Sequence, residues 1–291
     1  MLRRFNLYSE LLKLEHTIFA LPFALASIII LMREIPPVKR IIFIVLALVM
    51  ARLTGMAFNR LLDREFDAQN PRTRLWPHAS GFVKTWEIKI ILSITSLLFI
   101  ISCAFINKLA LLLSPFVIGL LFIYPLAKRF TYYPHFILGI VYFLIPVAVD
   151  IALNERIGLM AVLLGLGMAF WVAGFDILYS LQDYEFDLKM GLKSIPVRFG
   201  IKRAITLARV LHLLTLLSLL LLGVFYYPAS AIYFIGLLVM AGFLWYEHTL
   251  ISERDLSKLN KAFFTVNGII SILFFLLVLL DRLLRSDLFI K

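Results

Sequence analysis

Apolar residues dominate runs of about 20 positions, and nine such runs follow one another along the chain, at 14–32, 41–62, 86–106, 108–127, 134–153, 157–180, 204–224, 229–249 and 261–283. Twenty residues of α-helix rise about 30 Å, the thickness of a bilayer's hydrocarbon core. Lipid offers no partner to backbone N–H and C=O groups, so each run must form a helix that satisfies its own. A transmembrane barrel would show short alternating segments instead. The pattern predicts an all-α membrane protein of nine transmembrane helices, a single domain over 1–291 with no soluble unit left over. The first run is too long for a signal peptide, and Met32-Arg33-Glu34-Ile35-Pro36-Pro37 follows it rather than a small-residue cleavage site.

Composition agrees: 62% of the 291 residues are hydrophobic, 16% are charged, and mean hydropathy is +0.95. The net charge of +11 is unevenly placed. Most of the Lys and Arg residues fall on the N-terminal side and the even-numbered loops. The positive-inside rule puts those in the cytoplasm, as expected of a multi-pass protein of the cell inner membrane. The basic excess therefore belongs to cytoplasmic loops and anionic headgroups, not to nucleic acid. A lone cysteine, Cys103, excludes an internal disulfide and reads as packing. The five histidines show no metal-ligand spacing, and no P-loop or dinucleotide fingerprint is present.

Two polar segments interrupt this background. One runs Asn59-Arg60-Leu61-Leu62-Asp63-Arg64-Glu65-Phe66-Asp67, the other from Asp176 through Tyr179, Ser180 and Asp183 to Asp187. Asp63 and Asp183 are 120 residues apart, as are Asp67 and Asp187. Each segment closes a span and opens a basic loop, which suggests an internal repeat with a site between its halves. On a continuous helix, residues four apart share a face, so each segment predicts a stripe of acids. Acid pairs at this spacing repel one another. A hard divalent cation offsets that cost, and Mg2+ keeps few protein ligands and shares itself with phosphates. Two facing stripes suit a Mg2+–diphosphate, with Asn59, Asp63, Asp67, Asp183 and Asp187 as ligands. Arg52, Arg72, Arg74, Lys128, Lys193 and Arg198 are candidates for the phosphate oxygens. Glu65 and Glu185 fall off the stripes and read as solvated. Asp150 reads as a boundary residue at the opposite membrane face.

At these residues the chain resembles the UbiA superfamily of intramembrane prenyltransferases. Asn59, Asp63 and Asp67 match one family motif; Asp176, Tyr179, Asp183 and Asp187 match the other. Gly191-Leu192-Lys193-Ser194-Ile195-Pro196 and Tyr124-Pro125-Leu126-Ala127-Lys128-Arg129 are also similar to the family. The resemblance implies nine helices around a central cavity with a cytoplasmic cap. It implies Mg2+-dependent transfer of a prenyl group from an allylic polyprenyl diphosphate to an aromatic ring. Asp63, Asp67, Asp183 and Asp187 would carry the diphosphate complex, Lys193 would steady phosphates, and Asp176 and Tyr179 would sit near the acceptor. The Lys128-Arg129 pair resembles the branch acting on 4-hydroxybenzoate and related aromatic carboxylic acids, with Arg129 as a bidentate partner for the carboxylate. One departure is Trp76, at a position where the family usually carries a second loop arginine.

Two alternatives remain at this stage. The acceptor could be a hydroxylated naphthoic acid of menaquinone biosynthesis. A secondary transporter of an anionic substrate also has repeats and intramembrane acids, but these acids gather at one membrane face and nine spans do not divide equally.

Overall fold

The computed structural model describes residues 2–14, 17–227 and 230–286, and every regular element among them is helical. The elements are α1 (Leu2–Leu12), α2 (Thr17–Leu31), α3 (Val38–Leu62), α4 (Arg64–Gln69), α5 (Thr85–Ile106), α6 (Lys108–Phe130), α7 (Pro134–Asn154), α8 (Leu159–Ser180), α9 (Tyr184–Met190), α10 (Ile195–Phe199), α11 (Ile201–Tyr226), α12 (Ala231–Thr249) and α13 (Asn267–Ser286). A π-helical turn, Lys261–Val266, leads into α13.

Eight helices among the described residues are long and apolar enough to cross a membrane. They account for eight of the nine expected spans, and the chain is a multi-pass membrane protein. The remaining expected span, 14–32, is met by α2, whose 15 residues rise about 22 Å. Glu15 and His16 of that span lie outside the described residues.

The innermost helix is α8, with 67% of its apolar window buried against 17–44% for the other seven. It lies between α7 and α11, while α3 packs on α5 and α6, and α13 on α2 and α12. Helices in lipid gain little from burying apolar area against each other, so close backbone approach matters more. At the α7–α8 contact, glycine is required on both sides. A Cβ on Gly165 would meet the Phe143 carbonyl oxygen at 2.8 Å, and one on Gly139 would meet the Ala169 carbonyl oxygen at 2.9 Å. Gly165→Ala must push two backbones apart, a cost of about 1–3 kcal/mol for overpacking. A lowered melting temperature in detergent is the expected result. Gly119→Ala, with nothing within 4 Å of the new Cβ, serves as the control and leaves it unchanged.

The internal repeat is visible in backbone geometry. α3 ends at Leu62, Asp63 adopts φ −96°, ψ 3°, and α4 begins at Arg64. α8 ends at Ser180, a 3₁₀ turn follows, Asp183 adopts φ −101°, ψ 4°, and α9 begins at Tyr184. Both values fall in the sparsely used bridge region. The acidic stripes therefore do not lie on straight helices, as the spacing predicted. Each one breaks at its central aspartate, where a separate short helix begins.

Candidate active site

Both polar segments line one cavity of about 600 Å³. Asn59, Asp63, Asp67, Asp176, Tyr179, Asp183 and Asp187 all contribute to its wall. Apolar residues of α2, α3, α5, α6 and α7, including Leu21, Leu48, Phe99, Phe116 and Leu144, line the rest. The chamber is thus polar where α3 and α8 end and apolar toward the bundle interior.

Each acid has a distinct set of partners. Asp63 is 3% exposed. Its Oδ2 accepts from Asn59 Nδ2 at 3.0 Å and pairs with Lys128 Nζ at 2.8 Å. Its Oδ1 is buried without a hydrogen bond, 3.7 Å from Arg129 Nη2. Asp67 meets His78 Nε2 at 2.7 Å and accepts from Thr73 Oγ1 at 3.1 Å, with Arg60 Nη1 at 3.8 Å. Asp183 holds both oxygens against Arg72, accepting from Nε at 2.9 Å and Nη2 at 2.5 Å, and takes a further bond from Asn70 Nδ2 at 2.8 Å. Arg72 Nη1 reaches Tyr179 Oη at 3.1 Å. The fork-to-fork Arg72–Asp183 pair ties the loop after α4 to the end of α8, so the two halves of the repeat meet here.

Environment separates the acids outside the spans. Burial pushes the Asp63 carboxyl above its usual range, more than Lys128 pulls it down. Asp67 is also penalised by burial, yet the His78 hydrogen bond and the Arg60 charge hold it below its usual range. Burial and nearby Arg60 lower His78, against the pull of Asp67. Arg72 loses solvation too, but its bond to Asp183 more than compensates and raises it.

Sequence reasoning placed most of these groups and misplaced three, Arg74, Arg129 and Arg198, the last being exposed with its guanidinium 5.0 Å from the Tyr132 ring centroid and off the cavity wall. Lys128, Lys193, Arg52 and Arg72 line the cavity. Lys193 is fixed by its backbone N–H to the Lys128 carbonyl at 2.7 Å. Arg129 does not line it: the side chain is 40% exposed, donates to the Leu62 carbonyl and sits 5.3 Å from the Phe66 ring. Arg74 is exposed and also off the wall. Glu65 and Glu185 are exposed, as expected. Asp150, read as a boundary residue, lies in the last turn or so of α7 and is 2% exposed; it accepts from Asn154 Nδ2 and the Gly158 N–H, both at 2.7 Å.

Several residues had no signal in the spacing. Trp76 lines the cavity, with the Arg60 guanidinium 4.4 Å and that of Arg72 5.3 Å from its ring centroid. Where the family carries an arginine, this chain therefore has an aromatic platform for two others. The histidines are not idle: His78 meets Asp67, and His135 Nδ1 meets Asp176 Oδ2 at 2.7 Å. Tyr124, half-buried, lines the same cavity as Asp176, Asp63 and Arg52.

Among the described residues no three His, Cys, Asp or Glu side chains converge on one metal position. The donor chemistry nevertheless suits a hard cation held jointly with a phosphate: carboxylates from two segments at one cavity mouth, and a buried Asp63 oxygen without a hydrogen bond.

A family model described as "UbiA prenyltransferase family" matches residues 20–277. A 4-hydroxybenzoate octaprenyltransferase of Vibrio atlanticus is 31% identical over 245 residues, 83% of this chain and 84% of that protein. One of Pseudomonas entomophila is 34% identical over 252 residues, 86% of this chain and 83% of that one. Among solved structures, the apo form of a UbiA homolog from Aeropyrum pernix K1 superposes with a TM-score of 0.83 at 31% identity, covering 92% of this chain and 98% of that one. A UbiA homolog from Archaeoglobus fulgidus bound to GPP and Mg2+ shares the fold at TM-score 0.74 and 19% identity, over 95% and 99% of the two chains.

Proposed function

Since the chain belongs to the UbiA prenyltransferase family and is an aromatic prenyltransferase of the membrane, we propose that it moves a prenyl group from an allylic polyprenyl diphosphate to the ring of 4-hydroxybenzoate or a close relative. The reaction belongs to quinone biosynthesis of the ubiquinone type. The site opens at the cytoplasmic face of the inner membrane, the side that the basic loops mark. The transporter alternative gives way to family membership.

The observation that carries this reading is the division of one cavity into an acidic and basic mouth and an apolar interior. A diphosphate headgroup suits the first, a prenyl chain the second. Asn59, Asp63, Asp67, Asp183 and Asp187 would hold Mg2+. Bound there with the diphosphate, Mg2+ supplies positive charge that favours departure of the leaving group. Lys128, Lys193 and Arg72 bind its outer oxygens. Trp76 keeps Arg72 aimed inward; Trp76→Ala is expected to raise the KM for the diphosphate by up to about tenfold, given cation–π energies of about 0.5–1 kcal/mol per pair. Tyr179 is fixed at the cavity wall, with Phe263 stacked on its ring at 4.0 Å and the Arg72 guanidinium 5.4 Å from its centroid. Arg52, Tyr124 and Asp176 line the same cavity and suit the two ends of a hydroxybenzoate, the carboxylate at Arg52 and the hydroxyl toward Asp176.

The test is transfer in detergent with Mg2+, geranyl diphosphate, and either 4-hydroxybenzoate or a dihydroxynaphthoic acid, read by mass spectrometry. Prenylated hydroxybenzoate is the expected product. Product from the naphthoate alone would move the pathway to menaquinone; no product and no diphosphate release with either acid would overturn the proposal.

A further inference from the structure

Resting on the prenyl-transfer reading above, we infer that His135 is the positioning residue that holds Asp176 as the base for the acceptor's ring proton. The assignment comes from geometry. His135 is the second residue of α7, directly after Pro134, whose fixed φ makes it a rigid first residue of the helix. Its imidazole is 3% exposed. Nδ1 lies 2.7 Å from Asp176 Oδ2, and Nε2 is buried with no hydrogen-bond partner among the described residues. An imidazole buried with a single polar contact is poorly compensated as a packing element. The one contact it keeps runs across to α8, 41 residues away in sequence, onto the innermost acid of the second segment.

The partition of exposure gives the direction. The Asp176 side chain is 17% exposed against 4% for His135, so the carboxylate is the more open of the pair at the cavity wall. Nδ1–H donates to Oδ2, which pins the carboxylate and leaves Oδ1 for a substrate. Imidazole orienting carboxylate inverts the familiar order, but the logic is the same: a base acts at one atom only when a second group fixes its rotamer.

Asp176 also differs from the other acids. Asp63 is paired with Lys128, Asp183 with Arg72, and Asp67 with His78 under Arg60. No Lys or Arg pairs with Asp176 among the described residues; its ion-pair partner is His135. Asp176 lies seven residues before Asp183 on the inward side, about 10 Å along a helix axis. A group at that depth is past the diphosphate and level with the ring.

The step balances without a further reagent. The C1–O bond of the diphosphate breaks, its electron pair leaving with the diphosphate. The ring carbon beside the hydroxyl bonds to C1. The C–H bond at that carbon then breaks, its proton passing to Asp176 Oδ1 and its electron pair returning to the ring.

The test compares 4-hydroxybenzoate with the same acid deuterated at the carbons flanking the hydroxyl, using geranyl diphosphate and Mg2+. In the unaltered protein, proton loss follows the slower C–C bond formation, and no isotope effect on kcat is expected. In His135→Leu, the carboxylate loses its orientation. The rate is expected to fall about a hundredfold, as for misplacement by about 1 Å, and a normal primary isotope effect to appear. The KM for geranyl diphosphate stays put. His135→Gln, whose amide can donate to Asp176, recovers most of the rate and suppresses the isotope effect. Asp176→Asn, of the same shape, guards against a folding artefact and gives the same isotope signature as His135→Leu. Full activity in His135→Leu would overturn the inference. So would a loss with no isotope effect that His135→Gln shares. An unaltered protein that prenylates neither acid would instead overturn the acceptor reading, and this inference with it.

Discussion

Asp63→Asn and Asp183→Asn are each expected to lower prenyl transfer by about a thousandfold or more, the upper range for removing a group that stabilises transition-state charge. The two are symmetry-related by the repeat, and each sits at the bend where a long helix becomes a short one. Asparagine keeps the shape and one acceptor oxygen while removing the charge. Asn59 and Lys128 keep a neighbour at position 63, and Asn70 and Arg72 keep one at 183. The Lys128 and Arg72 side chains, each 27% exposed, can take water from the cavity instead of remaining as buried unpaired charges. Melting temperatures in detergent should therefore change little, which separates lost chemistry from lost fold. Glu65→Gln and Glu185→Gln, one turn away on exposed positions, should behave like the unaltered protein. The measurement is product formation at saturating Mg2+ and geranyl diphosphate. If either aspartate variant kept more than about a tenth of the rate, against the loss expected of a transition-state group, the diphosphate would have to bind elsewhere.

Much of this site was legible in the sequence because its signals are local. Carboxylates are rare beside membrane spans, and two copies of one spacing stand out against apolar runs. The bends at Asp63 and Asp183 were not legible: a single residue in the bridge region leaves the four-residue spacing intact, so a straight helix and a bent one read alike. His78 and His135 were invisible for a different reason. Their partners are 11 and 41 residues away, and metal-ligand spacing, the only histidine pattern a sequence offers, does not describe a histidine that serves a carboxylate. Asp150 reads in the sequence as a boundary residue because it sits near a helix end. The structure makes it a buried clasp for the α7–α8 turn, a role set by the Gly158 N–H that only the folded loop supplies.

The Arg52 and Arg129 side chains show how far residue type alone can mislead, and they yield the second large effect. Both are arginines near the acids, and the run from Tyr124 to Arg129 favoured the latter as the partner of an acceptor carboxylate. Only Arg52 reaches the cavity wall. Its Nε is buried with no hydrogen-bond partner among the described residues, and Tyr124 and Asp176 line the same cavity. Arg129 spends its donors on the end of α3, at the Leu62 carbonyl. Arg52→Gln is therefore expected to raise the KM for 4-hydroxybenzoate by about ten- to a hundredfold, since hydrogen bonds to a charged group contribute about 1.5–3 kcal/mol. The KM for geranyl diphosphate should hardly move. Arg52→Lys restores the charge but not the two-pronged geometry and should recover part of the loss. Arg129→Gln should leave the acceptor KM where it was. The decisive readout is the preference for 4-hydroxybenzoate over 4-hydroxybenzamide, which differ in charge and hardly in shape. Loss of that preference in Arg52→Gln, and its survival in Arg129→Gln, would place the carboxylate inside the cavity; the reverse pattern would return it to the rim at the end of α6 and require that end to move inward when substrate binds.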